Sequence, residues 1–288
     1  MENATCIICG NTKFSPYLDV KCRFTNEDFK LSQCICSLVL TSPRPTSNNI
    51  SAYYNNDNYF PHSNLSSNQS FFHKVLKKIS CKWKFRLIKK YIYKDQVDLL
   101  DIGGGDGSFA IYLNNENCKV NVYEKDESCV KFINNNNVFA TNDLKKLTDS
   151  KYNFITLWHS LEHVHDIEEL FEHINRISKN DCLMLIAVPN ILAAEIDCLS
   201  YRWIAWDAPR HLYHFSYDTL DLLLEKYNWE IIKTKNMNQD TLFNIYMSLK
   251  TKSLLNMMYC IYIYIYSTIS QILFKKKRST NLVICKKK

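Results

Sequence analysis

Four of the chain's five glycines, Gly103, Gly104, Gly105 and Gly107, fall in one short run, VDLLDIGGGDGSFAIYL. An apolar stretch from Val97 to Ile102 leads into them, and a helix-like segment follows from Ser108. Glycine is needed where the backbone takes positive φ or where another group approaches it closely. Strand, glycine turn and helix together present backbone N–H groups to a nucleotide-type cofactor. Three carboxylates suit the same chemistry. Asp101 ends the first strand. Glu124 ends the second, KVNVYEKD, where a carboxylate can accept from both ribose hydroxyls. Asp143, in NDLKKL, can accept from an adenine amino group. Gly105-Asp106-Gly107-Ser108-Phe109-Ala110 also matches the G-x-G-x-x-A form of a dinucleotide fingerprint. A pyrophosphate, however, gains nothing from carboxylates at Asp101 and Asp106. A donor with a cationic sulfonium and an α-amino group does, so the electrostatics favour S-adenosylmethionine over NAD(P).

A second constellation is His159-Ser-Leu-Glu162-His163. This segment is expected to begin the helix after the fourth strand, where spacings of three and four place His159, Glu162 and His163 on neighbouring parts of one turn. His211 and His214 follow in PRHLYHF, in a loop that returns to the carboxyl edge of a parallel sheet, where ligands bind. Three uses are open. A histidine can act as general base toward a methyl acceptor. His159, Glu162, His163 and a loop histidine can hold a divalent metal, in an arrangement similar to the E-x-x-E-H plus distant His of small-RNA 2′-O-methyltransferases, with His159 in place of the first Glu. Or these groups can serve local pairing and packing alone. H-x-x-E-H is also a zinc-protease signature. The strand before it and the glycine turn argue against that use.

The amino-terminal cysteines are a third set. Cys6-x-x-Cys9 followed by Gly10 makes a metal knuckle, and Cys34-Ile-Cys36 offers a second pair, with Cys22 to spare. Twelve cysteines without a basic start and apolar run at the amino terminus point to a reducing compartment and away from a disulfide framework. Four thiolates would close a structural zinc site; the alternative is a metal-free head.

These residues need elements to position them. Strands are expected at 97–102, 118–124, 152–158, 182–188, 229–236 and 281–286, with a weak one near 138–140. Helices are expected at 108–114, 126–134, 162–178 and 217–227. The alternation implies an α/β fold: a seven-stranded, mostly parallel sheet with helices on both faces, the last strand antiparallel. The organisation reads as a cysteine-rich head at 1–60, a basic amphipathic helical connector at 61–95, a core at 96–240, and an apolar helical insertion with the last strand at 241–288. In the connector Phe72, Leu76, Ile79, Trp83, Leu87 and Tyr91 recur at helical spacing. Between Lys74 and Lys94 the connector carries nine Lys/Arg and no acid, in a chain of net charge +7, as a face for an anionic partner or as a solvated surface. Ser253 to Phe274 carries no charge and is flanked by lysines. Its length could span a bilayer, but a strand at NLVICK would then lie on the wrong side. A helix packed on the domain or lying on a membrane surface fits better. Tyr201, Trp203 and Trp206, between 190 and 215, suit either a lid or a packed core.

DIGGGDG, the acidic end of the second strand and WHSLEHVHDIEELFEHINRISKNDCLMLIAVPN together resemble a class I S-adenosylmethionine-dependent methyltransferase. WDAPRHLYHFSYDTLDLLLEKYNWEII is similar to the PRH-x-x-x-F-S segment of one subgroup. CIICG…CICSLVLTSPRP resembles the cysteine-containing amino-terminal segment of members linked to polysaccharide and other surface-glycan biosynthesis. The likeness runs over roughly residues 5–235. It implies a Rossmann-like fold in which Gly103, Gly105 and Gly107 pack around the methionine part of the cofactor. Asp101 would orient its amino group, Glu124 hold the ribose, and Asp143 with Leu144 frame the adenine, with His159 beside the cofactor. Glu162, His163, His211 and His214 would then serve catalysis, and Cys6, Cys9, Cys34 and Cys36 a structural zinc. The acceptor implied is a small molecule or saccharide, free or lipid-linked, methylated on hydroxyl, amine or carbon. Nucleic acid is not an expected partner. The expected location is cytoplasmic, with peripheral contact at the cytoplasmic membrane face. The alternatives are an NAD(P)-dependent oxidoreductase and a non-catalytic, membrane-associated cofactor-binding protein.

Overall fold

The computed structural model describes residues 1–54, 71–92, 97–249 and 253–288. Residues 55–60 of the expected head, 61–70 and 93–95 of the expected connector, and Lys250 and Lys252 beside the apolar run lie outside the described residues. In chain order the strands and helices are β1 (Ser15–Lys21), β2 (Asp28–Gln33), β3 (Val39–Thr41), α1 (Phe71–Ile92), β4 (Leu99–Ile102), α2 (Ser108–Asn115), β5 (Val120–Tyr123), α3 (Glu127–Asn135), β6 (Phe139–Thr141) and β7 (Tyr152–Trp158). They continue with α4 (Ile167–Ile177), β8 (Ser178–Pro189), α5 (Ile196–Leu199), β9 (Tyr213–His214), α6 (Tyr217–Lys226), β10 (Trp229–Lys235), α7 (Asn238–Ser248), α8 (Leu254–Leu273) and β11 (Thr280–Lys287).

The main sheet has seven strands in the order β10-β11-β8-β7-β4-β5-β6 and is mostly parallel. All of its strands overlap the expected positions. Strand β4 is buried along its length, as a central parallel strand must be. It pairs in parallel with β5 on one side, Ile102 opposite Tyr123, and with β7 on the other, Ile102 opposite Leu157. Strand β6 joins β5 in parallel, with Thr141 opposite Tyr123. The carboxyl ends of β4, β5, β6 and β7 therefore emerge along one edge, where an open α/β sheet binds its ligands.

The chain divides into two compact units. One comprises Asp57–Leu161, Glu168–Ile186 and Ile284–Lys288. In it Trp158 packs edge-on against Phe109 and Trp83, with ring centroids 5.9 and 6.4 Å away. Helix α1 covers 71–92 as its periodicity predicts; Trp83 and Tyr91 of the expected stripe pack on Trp158 and Phe154, but the buried stripe is a neighbouring one. Cys81, Phe85, Ile88 and Ile92 face inward, while Leu76 and Ile79 are exposed. Apolar residues occupy two neighbouring stripes of this helix, and the one with spacings of four and three at Cys81, Phe85 and Ile88 fits the core. The side chain of Phe72 lies outside the described residues.

The other unit comprises Met1–Asn56, Glu162–Ile167 and Ala187–Val283. It contains a four-stranded sheet, β1-β2-β3-β9, whose strands pair antiparallel. A core of Val20, Phe29, Leu31, Val39, Ile245 and Ile263 forms around Trp203 and Trp206. The two tryptophans are thus core residues, which settles the choice between lid and packing at these positions. Tyr201 stays exposed.

The expected helix at 162–178 is shorter. Strand β7 ends at Trp158, and the next residue, His159, takes a φ of 52° that breaks the extended backbone. A single 3-10 turn spans Leu161–His163, and α4 begins only at Ile167, with Glu168 and Glu169 in its first turn. Carboxylates there complement the helix dipole and favour a start at that point. No helix among the described residues is long and apolar enough to cross a membrane.

Trp203 is 2% exposed and Tyr201 63% exposed, although they are two positions apart. Trp203→Ala should destabilise the protein by about 3–5 kcal/mol. Tyr201→Ala should stay within about 0.5 kcal/mol of wild type. Urea unfolding of both variants checks the assignment; equal small effects would move Trp203 out of the core.

Candidate active site

The glycine turn leaves β4 at the carboxyl edge. Gly103, Gly105 and Gly107 all take positive φ. At Gly107 a Cβ would stand 2.3 Å from Cγ1 of Ile133, so the turn packs tightly there on α3. At Gly105 a Cβ would meet no atom within 4 Å. One side of the turn is thus closed against the protein and the other open, as a cradle for a bound group requires. The Gly105 N–H donates to Glu124 Oε2 at 2.8 Å, and Glu124 Oε1 accepts from the Asp126 N–H at 3.0 Å. Burial pushes the Glu124 carboxyl up, against these backbone donors. Asp143 follows β6 and caps the next turn by accepting from the Lys145 N–H at 2.9 Å. Leu144 opens that turn. His159 follows β7. The four segments expected around a cofactor therefore stand after four neighbouring strands.

Asp101 is buried and accepts from Thr156 Oγ1 at 2.6 Å. Burial is the larger influence and raises its pKa to about 6, although Thr156 and the Lys84 charge oppose the rise. Asp106 differs. It forms an ion pair with Lys77 of α1 and accepts from the Ser108 N–H at 3.0 Å. By residue type alone both carboxylates are negative charges beside the turn. Lys77 offsets one of them, which leaves Asp101 as the carboxylate without a close cationic side chain in its hydrogen bonding.

The second group lies in the other unit. Glu162, His163 and His211 each offer a ligand atom, all within 4.8 Å of one another. His159 is not among them, because the 3-10 turn replaces the helix that would have aligned it. His211 Nε2 lies 4.0 Å from Glu162 Oε1 and 4.0 Å from Asp207 Oδ2. The His163 and His211 rings meet edge-on at 4.7 Å. Burial, with the His211 charge second, lowers the His163 pKa to about 4, and likewise takes His214 to about 3. His214 stands one layer behind, with Nε2 3.3 Å from Thr41 Oγ1. Sequence reasoning missed Tyr54, whose hydroxyl is 3.0 Å from His163 Nδ1, and Asp207 with Arg210. Asp207 and Arg210 stood in the WDAPRH run beside His211; nothing in the sequence marked Tyr54.

The cysteines converge as well. Cys6, Cys9, Cys34 and Cys36 bring their Sγ atoms within 4.8 Å of one another, with Cys6–Cys36 and Cys9–Cys34 each at 3.4 Å. Gly10 at φ 74° and Ser37 at φ 72° close the two knuckles. The shortened C-x-C spacing is thus compatible with a four-sulfur cluster. Cys22 is apart from it, in the hydrophobic core.

The methyltransferase domain family matches residues 71–234, more than half of the chain and all of the glycine turn, Glu124 and histidine segments. The chain belongs to this family. It is a class I S-adenosylmethionine-dependent methyltransferase, which decides the donor against NAD(P). No curated protein sequence matches it. Among solved structures it is similar to magnesium protoporphyrin IX methyltransferase from Synechocystis PCC 6803 with bound SAH, at 13% identity and TM-score 0.51, over 83% of this chain and 98% of that one. It is also similar to the cyclase SpnF, at 12% identity and TM-score 0.53, over 85% of this chain and 97% of that one. At these identities the likeness is one of fold.

The pKa of Asp101 yields a stability test. Its value rises from 3.8 to about 6 on folding. Between those values the folded chain keeps a proton that the unfolded chain has lost. Stability contributed by protonated Asp101 is complete below pH 3.8 and is lost as pH rises through about 6. The loss amounts to about 3 kcal/mol. Asp101→Asn keeps the acceptor for Thr156 without the charge. Its stability relative to wild type should increase by about that amount between pH 4 and pH 7 in urea titrations. A difference independent of pH would contradict the assignment.

Proposed function

We propose that this methyltransferase transfers a methyl group to a small-molecule or saccharide acceptor, and that the turn after β4 holds its donor. The observation that carries the donor assignment is the open cradle at Gly105, flanked by Asp101, Glu124 and Asp143 at successive strand ends. Asp101 receives the donor's α-amino group; its partial protonation near pH 6 ends once that cation arrives. Glu124 already spends one lone pair on Gly105 and one on Asp126, and its remaining acceptor sites face the ribose hydroxyls. Asp143 and Leu144 border the adenine, and His159 the same edge. S-adenosylmethionine supplies a methyl group on a sulfonium, which is already activated for direct displacement. The protein's part is to align acceptor and donor and to exclude water.

An acceptor hydroxyl or amine must also lose a proton. The Glu162, His163 and His211 cluster, supported by His214, is assigned to that end of the reaction. Glu162 follows His159 by three positions, beyond the end of β7. The low His163 pKa keeps the ring neutral, with a lone pair to offer at neutral pH. The four head cysteines fit a structural zinc. Sulfurs about 2.3 Å from a tetrahedral ion stand roughly 3.8 Å apart, within the range found here. With four thiolates no position remains for chemistry, so its part is to fold the head. A saccharide acceptor in surface-glycan biosynthesis agrees with the head and PRH segment resemblances.

Titration calorimetry with S-adenosylmethionine tests the donor assignment. Gly105→Val puts a branched side chain into the open side of the turn, at a backbone φ of 55°. Binding should fall by at least about 100-fold, on the order of 3 kcal/mol. Affinity equal to wild type would remove the central claim.

Helix α8 supports a peripheral membrane location. Leu254, Leu255, Met258, Ile261, Ile265 and Ile269 are exposed along it, whereas Ile263, Ser267 and Gln271 face inward. No acidic residue interrupts it, and Lys275, Lys276 and Lys277 follow its end. An apolar stripe with a basic end suits an anionic lipid surface. The protein should co-sediment with vesicles containing phosphatidylglycerol. Ile261→Glu with Ile265→Glu should abolish this without loss of donor binding. Equal recovery in the supernatant with and without vesicles would refute the location.

A further inference from the structure

The two histidines beside Glu162 are oriented by backbone carbonyls. His163 Nδ1 lies 3.0 Å from the Arg210 carbonyl, and His211 Nδ1 lies 2.8 Å from the Ala205 carbonyl. A carbonyl oxygen only accepts, so each Nδ1 carries the hydrogen and each Nε2 keeps a lone pair. The anchors are themselves fixed. The Arg210 guanidinium is fully buried, pairs with Asp207 and donates to the Tyr53 carbonyl at 3.1 Å. Tyr54 adds its hydroxyl at His163 Nδ1, 3.0 Å away.

The three donor atoms converge within 4.8 Å of one another. His211 Nε2 and Glu162 Oε1 are 4.0 Å apart. That is too long for a hydrogen bond. It is close to the separation of two ligands that each stand about 2.1 Å from one ion. A histidine that donates its far N–H to a backbone carbonyl while its near nitrogen faces a carboxylate is the usual outer arrangement of a metal-bound imidazole. A plain general base would ask for one histidine so held, with its partner carboxylate in hydrogen-bond contact. Here two rings are held alike through Nδ1, and both offer a ligand atom within 4.8 Å of the Glu162 carboxylate.

We infer that Glu162, His163 and His211 form a binding site for one divalent transition-metal ion. Two imidazoles and one carboxylate leave coordination positions open, which separates this site from the closed set of four cysteines. The ligand class that fits the open positions is an oxygen: water, or a hydroxyl or carboxylate of the acceptor. That last step rests on the methyltransferase reading; ion binding itself does not. Asp207 stays outside the ligand set, since its carboxylate pairs with Arg210 and, at 3.5 Å, with Arg23. Its part is to hold the 205–211 segment in place.

Manganese(II) is the discriminating probe. Nitrogen and oxygen ligands accept it, whereas a four-thiolate site prefers zinc. The protein, given one equivalent of Zn2+ per chain so that the four thiolates take it first, is titrated with Mn2+, and free ion is read by its EPR signal without S-adenosylmethionine. One Mn2+ should bind per chain. Glu162→Gln and His211→Gln should each weaken it by at least about 10-fold, the smallest loss usual for disturbing such a site. Cys34→Ser should leave it intact. Circular dichroism and donor calorimetry verify that the variants fold. In the wild type alone, bound Mn2+ should broaden the ring proton signals of His163 and His211. Absence of Mn2+ binding in the wild type, unchanged affinity in both variants, or sharp ring signals at saturation would each overturn the site. Donor binding that persists in that case would leave the methyltransferase reading standing.

Discussion

The parallel ladder of the main sheet continues one residue past its strands, and the glycine turn depends on that continuation. The Gly103 N–H donates to the Tyr123 carbonyl at 2.8 Å, and the Glu124 N–H donates to the Thr141 carbonyl at 3.0 Å. The side chain of Glu124 then returns to the Gly105 N–H. Each of the three segments is thereby fixed before its chain turns away from the sheet. A glycine turn tethered at both Gly103 and Gly105 can hold a left-handed backbone without a ligand to enforce it. That is preorganisation in the ordinary sense: little ordering remains to oppose binding.

Charge around the turn is partitioned in a way that residue types alone did not show. Asp106 and Asp101 are five positions apart and look equivalent as carboxylates beside glycines. Lys77 reaches Asp106 from α1, so the basic helix neutralises one of the two. Asp101 sits deeper, takes a hydroxyl donor from Thr156, and is raised by burial toward neutrality. A cationic amino group completes Asp101; a pyrophosphate would face Asp101 unaided. The electrostatic preference for a sulfonium donor therefore stands on Asp101 rather than on both residues.

Much of this was legible in the sequence because each element announces itself locally. The apolar run before Gly103, the acidic end of β5 and the expected strands all overlap the observed ones, since buried parallel strands tolerate little else. The four cysteines were identifiable by type, and their altered spacing did not prevent them from meeting. The misreadings have separate causes. His159, Glu162 and His163 were aligned by assuming a helix, and a single residue at φ 52° ended that alignment. The inward stripe of α1 depended on which neighbour it packs against, and periodicity alone does not choose between two adjacent stripes. Tyr54 and Thr41 became part of the histidine cluster through tertiary contacts that no local pattern records.

Those contacts change the meaning of the amino-terminal segment. The Thr41 N–H donates to the Leu212 carbonyl at 3.0 Å, and the Leu212 N–H donates to the Glu162 carbonyl at 2.8 Å. Thr41 Oγ1 donates to the His211 carbonyl at 2.7 Å. Strand β3 pairs with β9, which carries His214. The cluster is thus assembled from three stretches far apart in sequence: Thr41 to Tyr54, Glu162 with His163, and Ala205 to His214. The same head that gathers four cysteines also supplies the strand and the tyrosine against which the histidines are set. A metal that folds the head would act on the cluster through Thr41 and β3, without touching any reacting atom. The head is therefore part of the scaffold that holds the histidine cluster, whereas the glycine turn is held by β4, β5, α3 and Lys77 of α1.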